Sequence, residues 1–563
     1  MANNKSSLYV TNSSGLKDYL IYYSILPFIV PIIYCLYTNS MTYIGGWYVL
    51  WTFGLICILI IKFKSLVIEQ KNLHFSTKSL IVFFIAVLLS FSYTTVSKYL
   101  VFDIPVRDPG IFFSMIQAML AGNFGFSSVA GIYHFGTHQN YILLPLVPLY
   151  AIFKSPIILQ LIGGMAIWGA GIMLWKISRL WFNELVSIAL VLTFYTSPSN
   201  HFYGFRPELF YPLALFTLFY VCVTKDKILP ILAAAIFLLS IKEDAALFMC
   251  GYVYLLFKKR KHTAAALLII LTVTIILFNL LLVQPYFVQK SHQLAADTLS
   301  FYNQWGNTNH EIALNIITSL LKVFSLMFDN NSGFWYSYGY WLFLPLLAPF
   351  LILSSILPLI LFTISNQPKM HVLSEYYPIA LSALAFIGTI YSCSVIRKKF
   401  PKIENKLTIG LLFLILIHNL LFVRFFDILN IDYTQFDNQQ RLDFLMSAPM
   451  YRGRWQEFVP VQQQNLDDFE QLKQNLLANY KNARICATNP VYPHLDYLEF
   501  PNLQKFVGEN INQPNCVNVF SIMGDFWPLS MEAAKEQITT MLGTESCKRY
   551  GNFFYCNNLT KGN

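Results

Sequence analysis

Four short stretches of this chain hold residues able to do acid–base or phosphate chemistry. They are Arg107-Asp108-Pro109-Gly110, His138 with His134 before it, Arg206-Pro207-Glu208 with His201 nearby, and Lys242-Glu243-Asp244. A carboxylate such as Asp108 can take a proton from an acceptor hydroxyl as general base, or help hold a divalent cation such as Mg or Mn. A Lys or Arg beside it can bind phosphate, Arg as a planar fork and Lys as a point charge. Each stretch also has a plainer reading. An Arg–Asp pair can cap a helix, Lys-Glu-Asp can form a solvated turn, and a single His is more often hydrogen-bonded scaffold. Lys242, Glu243 and Asp244, however, lie between two apolar runs with almost no polar padding. Charge at membrane depth is costly and tends to be paired or functional.

The elements that must position these groups are set by composition. The chain has 563 residues and is 56% hydrophobic, 17% aromatic and 12% charged. A soluble domain carries about a quarter charged residues, so the composition specifies a polytopic membrane protein. The formal charge of +10 does not point to nucleic acid, because membrane proteins collect Lys and Arg in their cytoplasmic loops. Crossing a bilayer takes about 20 apolar residues. Such runs occupy 19–37, 44–61 and 80–100. Lys62, Lys64, Lys71 and Lys78 place the loop before the third run, and with it the N-terminus, in the cytoplasm. Alternation then puts Lys176 and Arg179, Lys225 and Lys227, Lys258-Lys259-Arg260-Lys261, and Arg397-Lys398-Lys399 on that same side. All four chemistry-bearing stretches fall on the other side, and that shared face lifts them above their plainer readings. The tally is about eleven to thirteen spans by the length rule. It includes two passes within 341–362 around Pro349 and Pro358, and 111–120 has the pattern of an amphipathic helix on the membrane surface.

After a last run at 407–426, the chain turns polar and short-patterned, as in Ile485-Cys486-Ala487. The expected fold is all-α in the membrane with a C-terminal extracytoplasmic α/β domain. Residues 1–78 hold two additional helices, 79–427 the core with a long first outer loop at 101–141, and 428–563 the soluble domain. Cys486, Cys516, Cys547 and Cys556 lie in that domain. An even number permits disulfides outside the cytoplasm, but spacing does not fix the pairing.

Taken in order, these elements resemble the bacterial polytopic family known as domain of unknown function 2079, grouped with the lipid-dependent membrane glycosyltransferases of the C-type (GT-C) fold. The resemblance rests on Asp108-Pro109-Gly110-Ile111-Phe112, on His138 ahead of Pro148-Leu149-Tyr150, on Phe205-Arg206-Pro207-Glu208, and on Lys242-Glu243-Asp244. Ser365-Asn366-Gln367-Pro368 resembles a further turn. Arg206 stands where the family usually has His, Thr137 where it has an acidic residue, and Glu375 near an expected His. The resemblance implies a GT-C-like core that moves a sugar from a polyprenyl-phosphate donor to an envelope glycan, lipid or protein at the outer face of the bacterial inner membrane. Asp108 would be the catalytic base of an inverting single displacement. Arg107, His138, Arg206, Glu208, Lys242, Glu243 and Asp244 would contact substrate, and a divalent cation at Asp108 is compatible with such enzymes. Two other classes stay open. A transporter or flippase would place ionisable groups near mid-membrane with inverted repeats, and a non-catalytic envelope assembly protein would tolerate loss of Asp108.

Overall fold

A computed structural model describes residues 13–38, 42–43, 75–102, 109–197, 204–291, 298–328, 333–366, 370, 378–403, 407, 410–415, 457–458, 461–488, 491–496, 498–505, 513–521, 537, 540 and 547–559. The runs expected to span at 44–61 and, for the most part, at 407–426 lie outside these residues.

Helices dominate up to residue 403. In order they are α1 (Ser13–Thr38), α2 (Thr77–Leu100), α3 (Ile111–Leu120), α4 (Leu146–Phe153), α5 (Ile157–Ser178), α6 (Glu184–Thr196), α7 (Tyr211–Thr224), α8 (Ile228–Leu239) and α9 (Ala245–Lys258). There follow α10 (His262–Phe278), α11 (Gln284–Ser291), α12 (Asn309–Thr318), α13 (Leu320–Met327), α14 (Pro349–Ile364) and α15 (Ile379–Lys399). Polar caps start several of them where the apolar runs begin. Ser76 Oγ accepts from the Ser79 amide at α2, and Asn183 Oδ1 accepts from the Val186 amide at α6.

Among the described residues, Thr77–Leu100, Ile157–Ser178, Pro207–Thr224, His262–Ser291 and Ile379–Lys399 are long and apolar enough to cross a bilayer. The 30-residue stretch His262–Ser291 joins α10 to α11 through a π-helical turn at Asn279–Val283. At 1.5 Å per residue it is about 45 Å long, so its ends pass beyond the hydrocarbon. α12 and α13 meet at 81°, as a broken span or a re-entrant pair.

Helix packing relies on small residues. α9 lies so close to α14 that a β-carbon at Gly251 would sit 1.8 Å from the Phe350 carbonyl oxygen. Ser354 Oγ donates across the same contact to the Phe248 carbonyl at 2.8 Å. Two expectations change here. Residues 341–362 hold one apolar helix of 16 residues, α14, after short 3-10 turns, because Pro358 is accommodated inside it. α3 is covered on nearly every side from Phe112 to Ala118, so it does not lie with one face open.

The two ends of the bundle differ in chemistry. At one end Arg179 pairs with Glu184 at 3.6 Å, Lys261 with Asp226 at 3.3 Å, and Lys258 reaches the Tyr391 hydroxyl at 3.5 Å. Arg397 donates to the Trp181 carbonyl there. The basic clusters of α5, α7, α9 and α15 thus share one end. The opposite end carries the loop of 121–145, the turn 240–244 and the start of the α7 segment.

Over this second end sits an α/β domain. Helix α16 (Gln463–Tyr480) covers a sheet of β1 (Ile485–Ala487), β2 (Leu503–Lys505), β3 (Val517–Ser521), β4 (Cys547–Tyr550) and β5 (Phe553–Asn557). The strand order is β2-β1-β3-β5-β4. β1 runs parallel to β2 and β3, whereas β5 is antiparallel to β3 and β4. β1, β3 and most of β5 are buried, which explains their apolar sequences. Disulfides join Cys486 to Cys516 and Cys547 to Cys556. Phe102, just past α2, belongs to this domain's core with Phe469, Leu472 and Phe553.

Candidate functional site

Three adjacent residues organise the site. Lys242, Glu243 and Asp244 form the turn between α8 and α9, and each side chain reaches a different element. Lys242 Nζ donates to Glu208 Oε1 at 3.2 Å, and both residues are less than one-tenth exposed (8% and 6%). Glu208 is held in the 3-10 turn Pro207–Phe210 that opens the α7 segment, with Pro at its first position. Arg206 is the extended residue preceding that turn.

Glu243 faces the first outer loop. Its Oε1 accepts from His138 Nδ1 at 2.7 Å, and its Oε2 from the Gln139 amide at 3.2 Å. A carboxylate only accepts, so Nδ1 carries a proton and Nε2 is the ring's remaining nitrogen. Burial pushes the Glu243 carboxyl up, but the His138 ring, its hydrogen bond and Lys242 outweigh that push and bring it to about 2. Asp244 accepts from the Tyr211 hydroxyl. The loop is also fastened by backbone. Asn140 Nδ2 donates to the Ile241 carbonyl at 2.8 Å, and the Ile142 amide to the Ser240 carbonyl at 2.7 Å.

His138, Glu208, Lys242, Glu243 and Asp244 therefore converge, with Arg206 two positions from Glu208. Arg107 and Asp108 lie outside the described residues, as do His201 and Glu375, and the geometry here is that of the remaining groups. His134 is buried, with its ring 5.4 Å from that of His138 and edge-on to Phe112. Among the described residues no group of three or more His, Cys, Asp or Glu is placed to hold a metal ion. Two acceptors at this site are buried without a hydrogen-bond partner among the described residues, Glu208 Oε2 and Asn140 Oδ1. Leaving such atoms unsatisfied costs roughly 1–3 kcal/mol each, which suits a place that receives a hydroxyl or water.

Sequence reasoning did not single out Tyr211, Gln139 or Asn140. Tyr211 falls three residues after Glu208, a helical neighbour on the same face, and that spacing was the available signal. The seam with the α/β domain is made by residues of both parts. Tyr150 OH donates to Asp496 Oδ2 at 3.5 Å and accepts from Gln117 Nε2 at 2.8 Å. Ser128 Oγ and the Tyr492 hydroxyl are 2.6 Å apart. His494 stacks on Tyr99 at 4.2 Å and lies 4.0 Å from the Phe102 ring. Burial, then the charge of Lys473, lowers His494 to about 3. Burial raises the Asp496 carboxyl above its ordinary value, and Glu499 adds to the shift.

No curated protein matches the chain. Among solved structures, ArnT from Cupriavidus metallidurans in the apo state is similar, with 11% identity, a TM-score of 0.43, and coverage of 85% of this chain and 98% of that one. The family model described as "Predicted membrane protein (DUF2079)" matches residues 107–542. The match begins beyond α1 and α2 and runs from the first outer loop through the helices into the α/β domain, so the site and the domain as far as β3 fall within one family pattern, with β4 and β5 beyond its end. The chain is a member of the DUF2079 family of membrane proteins.

Proposed function

We propose that this protein is a membrane glycosyltransferase that takes a sugar from a polyprenyl-phosphate donor. It passes the sugar to an envelope acceptor at the extracytoplasmic face of the bacterial inner membrane. One observation carries this reading: a buried Lys242–Glu208 pair and a His138–Glu243 pair share a turn, at the end of the bundle opposite the basic loops. That end lies beneath a domain with two disulfides. Disulfides persist outside the cytoplasm and Lys/Arg clusters mark its inner side. Both criteria support an outward-facing site and an inward N-terminus. The order of the motifs from Asp108 to Asp244, which resembles lipid-dependent transferases, supports the same reading, with 1–78, 79–427 and 428–563 as its three parts.

In this mechanism Asp108 removes the proton from the acceptor hydroxyl. The freed oxygen attacks the anomeric carbon from the face opposite the phosphate and inverts it. Lys242 and Arg206 stabilise the charge that builds on the departing lipid phosphate. Glu208 holds Lys242, and Glu243 holds His138, at the edge of the same space. A divalent cation at Asp108 would share the load on the phosphate. Purified protein incubated with radiolabelled polyprenyl-phosphate sugars should release lipid phosphate, and Asp108→Asn should release it at least about a hundredfold more slowly. Equal turnover by both proteins would remove Asp108 as the base.

A further inference from the structure

The α/β domain contains an open groove that the bundle chemistry does not use. It has a volume of about 630 Å³ and is lined by Asp467, Glu470, Gln471, Gln474, Asn475 and Tyr550. Small-molecule sites span roughly 300–1,000 Å³, so its size is that of a binding site.

The walls are built and held. One is the polar face of α16; the other is the β4–β5 hairpin. The Cys547–Cys556 disulfide closes that hairpin, and its tip turns at Gly551, whose φ of +56° favours glycine. A β-carbon there would meet Asp468 Oδ2 at 1.9 Å, so the tip rests directly on α16. Asn552 Nδ2 donates to Asn465 Oδ1 at 3.0 Å, and the Tyr555 hydroxyl to Asn475 Oδ1 at 2.9 Å. These bonds pin the hairpin to the helix on either side of the groove. Tyr550 is backed by Tyr555, with ring centres 6.3 Å apart and nearly parallel. Within α16 Gln474 donates to Glu470 at 2.6 Å, and Gln463 to Asp467 at 2.9 Å, which orders the lining carboxylates.

The lining selects a ligand class. Three amides offer donors and acceptors together, two carboxylates accept, and one tyrosine adds an aromatic ring with a hydroxyl. That set matches a ligand dense in hydroxyl groups with flat C–H faces. Among the described residues no Lys or Arg lines the groove, and its two carboxylates repel anions. We propose that this groove binds a neutral or amino-bearing oligosaccharide chain, so that the domain holds a glycan above the membrane site. Binding is a property of the domain alone; only the further step, that the bound glycan is the acceptor, rests on the transferase reading.

The test is calorimetric titration of the full chain in detergent with cellotetraose, chitotetraose, its de-N-acetylated form, and a sulfated tetrasaccharide. No donor lipid is present, so the outcome is independent of turnover. At least one of the neutral or amino-bearing probes should bind with a Kd below roughly 10 mM, and the sulfated one should not. Gln471→Ala/Gln474→Ala removes amides from exposed positions of α16 and should weaken binding at least about tenfold, the worth of one or two hydrogen bonds. Gln464→Ala, on the same helix but outside the groove, should bind as wild type. Tyr550→Leu, which keeps an apolar side chain but loses the aromatic ring, should weaken binding too, and it provides a second variant if the first misfolds. No binding by any neutral or amino sugar, equal binding by both groove variants, or preference for the sulfated probe would each overturn the proposal.

Discussion

At the scale of single residues, the turn 242–244 resolves a problem posed by its own sequence. Three consecutive ionisable side chains cannot share one small space cheaply, so each is sent to a separate partner: Glu208, His138 and Tyr211. Removing one member of a buried ion pair strands the other and typically costs about 3–5 kcal/mol, whereas replacing both by apolar groups can be neutral. Lys242→Met should therefore lower thermal stability in detergent sharply, and Lys242→Met/Glu208→Leu should recover most of it. If the double variant is no more stable than the single one, the pair is not coupled. Glu243 answers to the same logic. Its carboxyl, held at about 2, stays ionised throughout the neutral range and fixes the proton on His138 Nδ1. The triplet, His138 and Glu208 were legible as candidates through residue type and the side of the membrane expected for them. Tyr211 and Asn140 were not, because a tyrosine or asparagine in an apolar helix or loop has no mark until its partner is placed beside it.

At the scale of elements, long apolar runs such as Ile157–Ser178 and Ile379–Lys399 were legible because hydrocarbon thickness sets their length. Shorter pieces were not, since α14 and α3 are defined by what packs on them. The α9–α14 crossing tests this directly. Gly251→Val would drive its side chain into the Phe350 carbonyl and should separate the helices, seen as a large loss of thermal stability, while Cys250→Val next to it should have little effect. In the α/β domain four cysteines were legible but their partners were not; the strand order supplies them, since β1–β3 and β4–β5 are sheet neighbours. The chain-entropy model assigns the Cys486–Cys516 link, across 30 residues, about 3–4 kcal/mol. Cys486→Ser/Cys516→Ser should lower the stability of the domain by an amount of that order, measured by denaturant titration of protease resistance. An unchanged profile would show that the link does not hold the domain.

At the scale of the whole molecule, the domain and the bundle meet through a seam that should respond to pH. His494 is half-buried among Tyr99, Phe102 and Phe469, with the charge of Lys473 acting on it and Asp496 two positions along the chain, where Glu499 acts in turn. A histidine held at about 3 when folded and at about 6.5 when released contributes stability that is fully present above the released value. That contribution is lost progressively as pH falls towards the folded one. Asp496, raised when folded, acts in the opposite sense: its contribution is present at low pH and lost as pH rises. The His494 shift is the larger of the two, and the net expectation is a weaker seam at about pH 5 than at about pH 7.5. Hydrogen exchange around Tyr99 and Pro493 should quicken on acidification in wild type and much less in His494→Phe; identical acceleration in both would exclude the histidine.

The fastening of Ser128 to Tyr492 across 364 positions of sequence has a further consequence for biogenesis. The first outer loop is translated long before the segment that secures it, so on the proposed orientation the bundle must wait, already inserted, for its own C-terminus to cross and oxidise. Every newly made copy thus passes through a stage in which the helices are in the bilayer and the loop at 121–145 lacks its roof. A chain halted after α15 should reach the membrane yet leave that loop open to protease, and export of the remaining segment, rather than helix insertion, should set the pace of maturation.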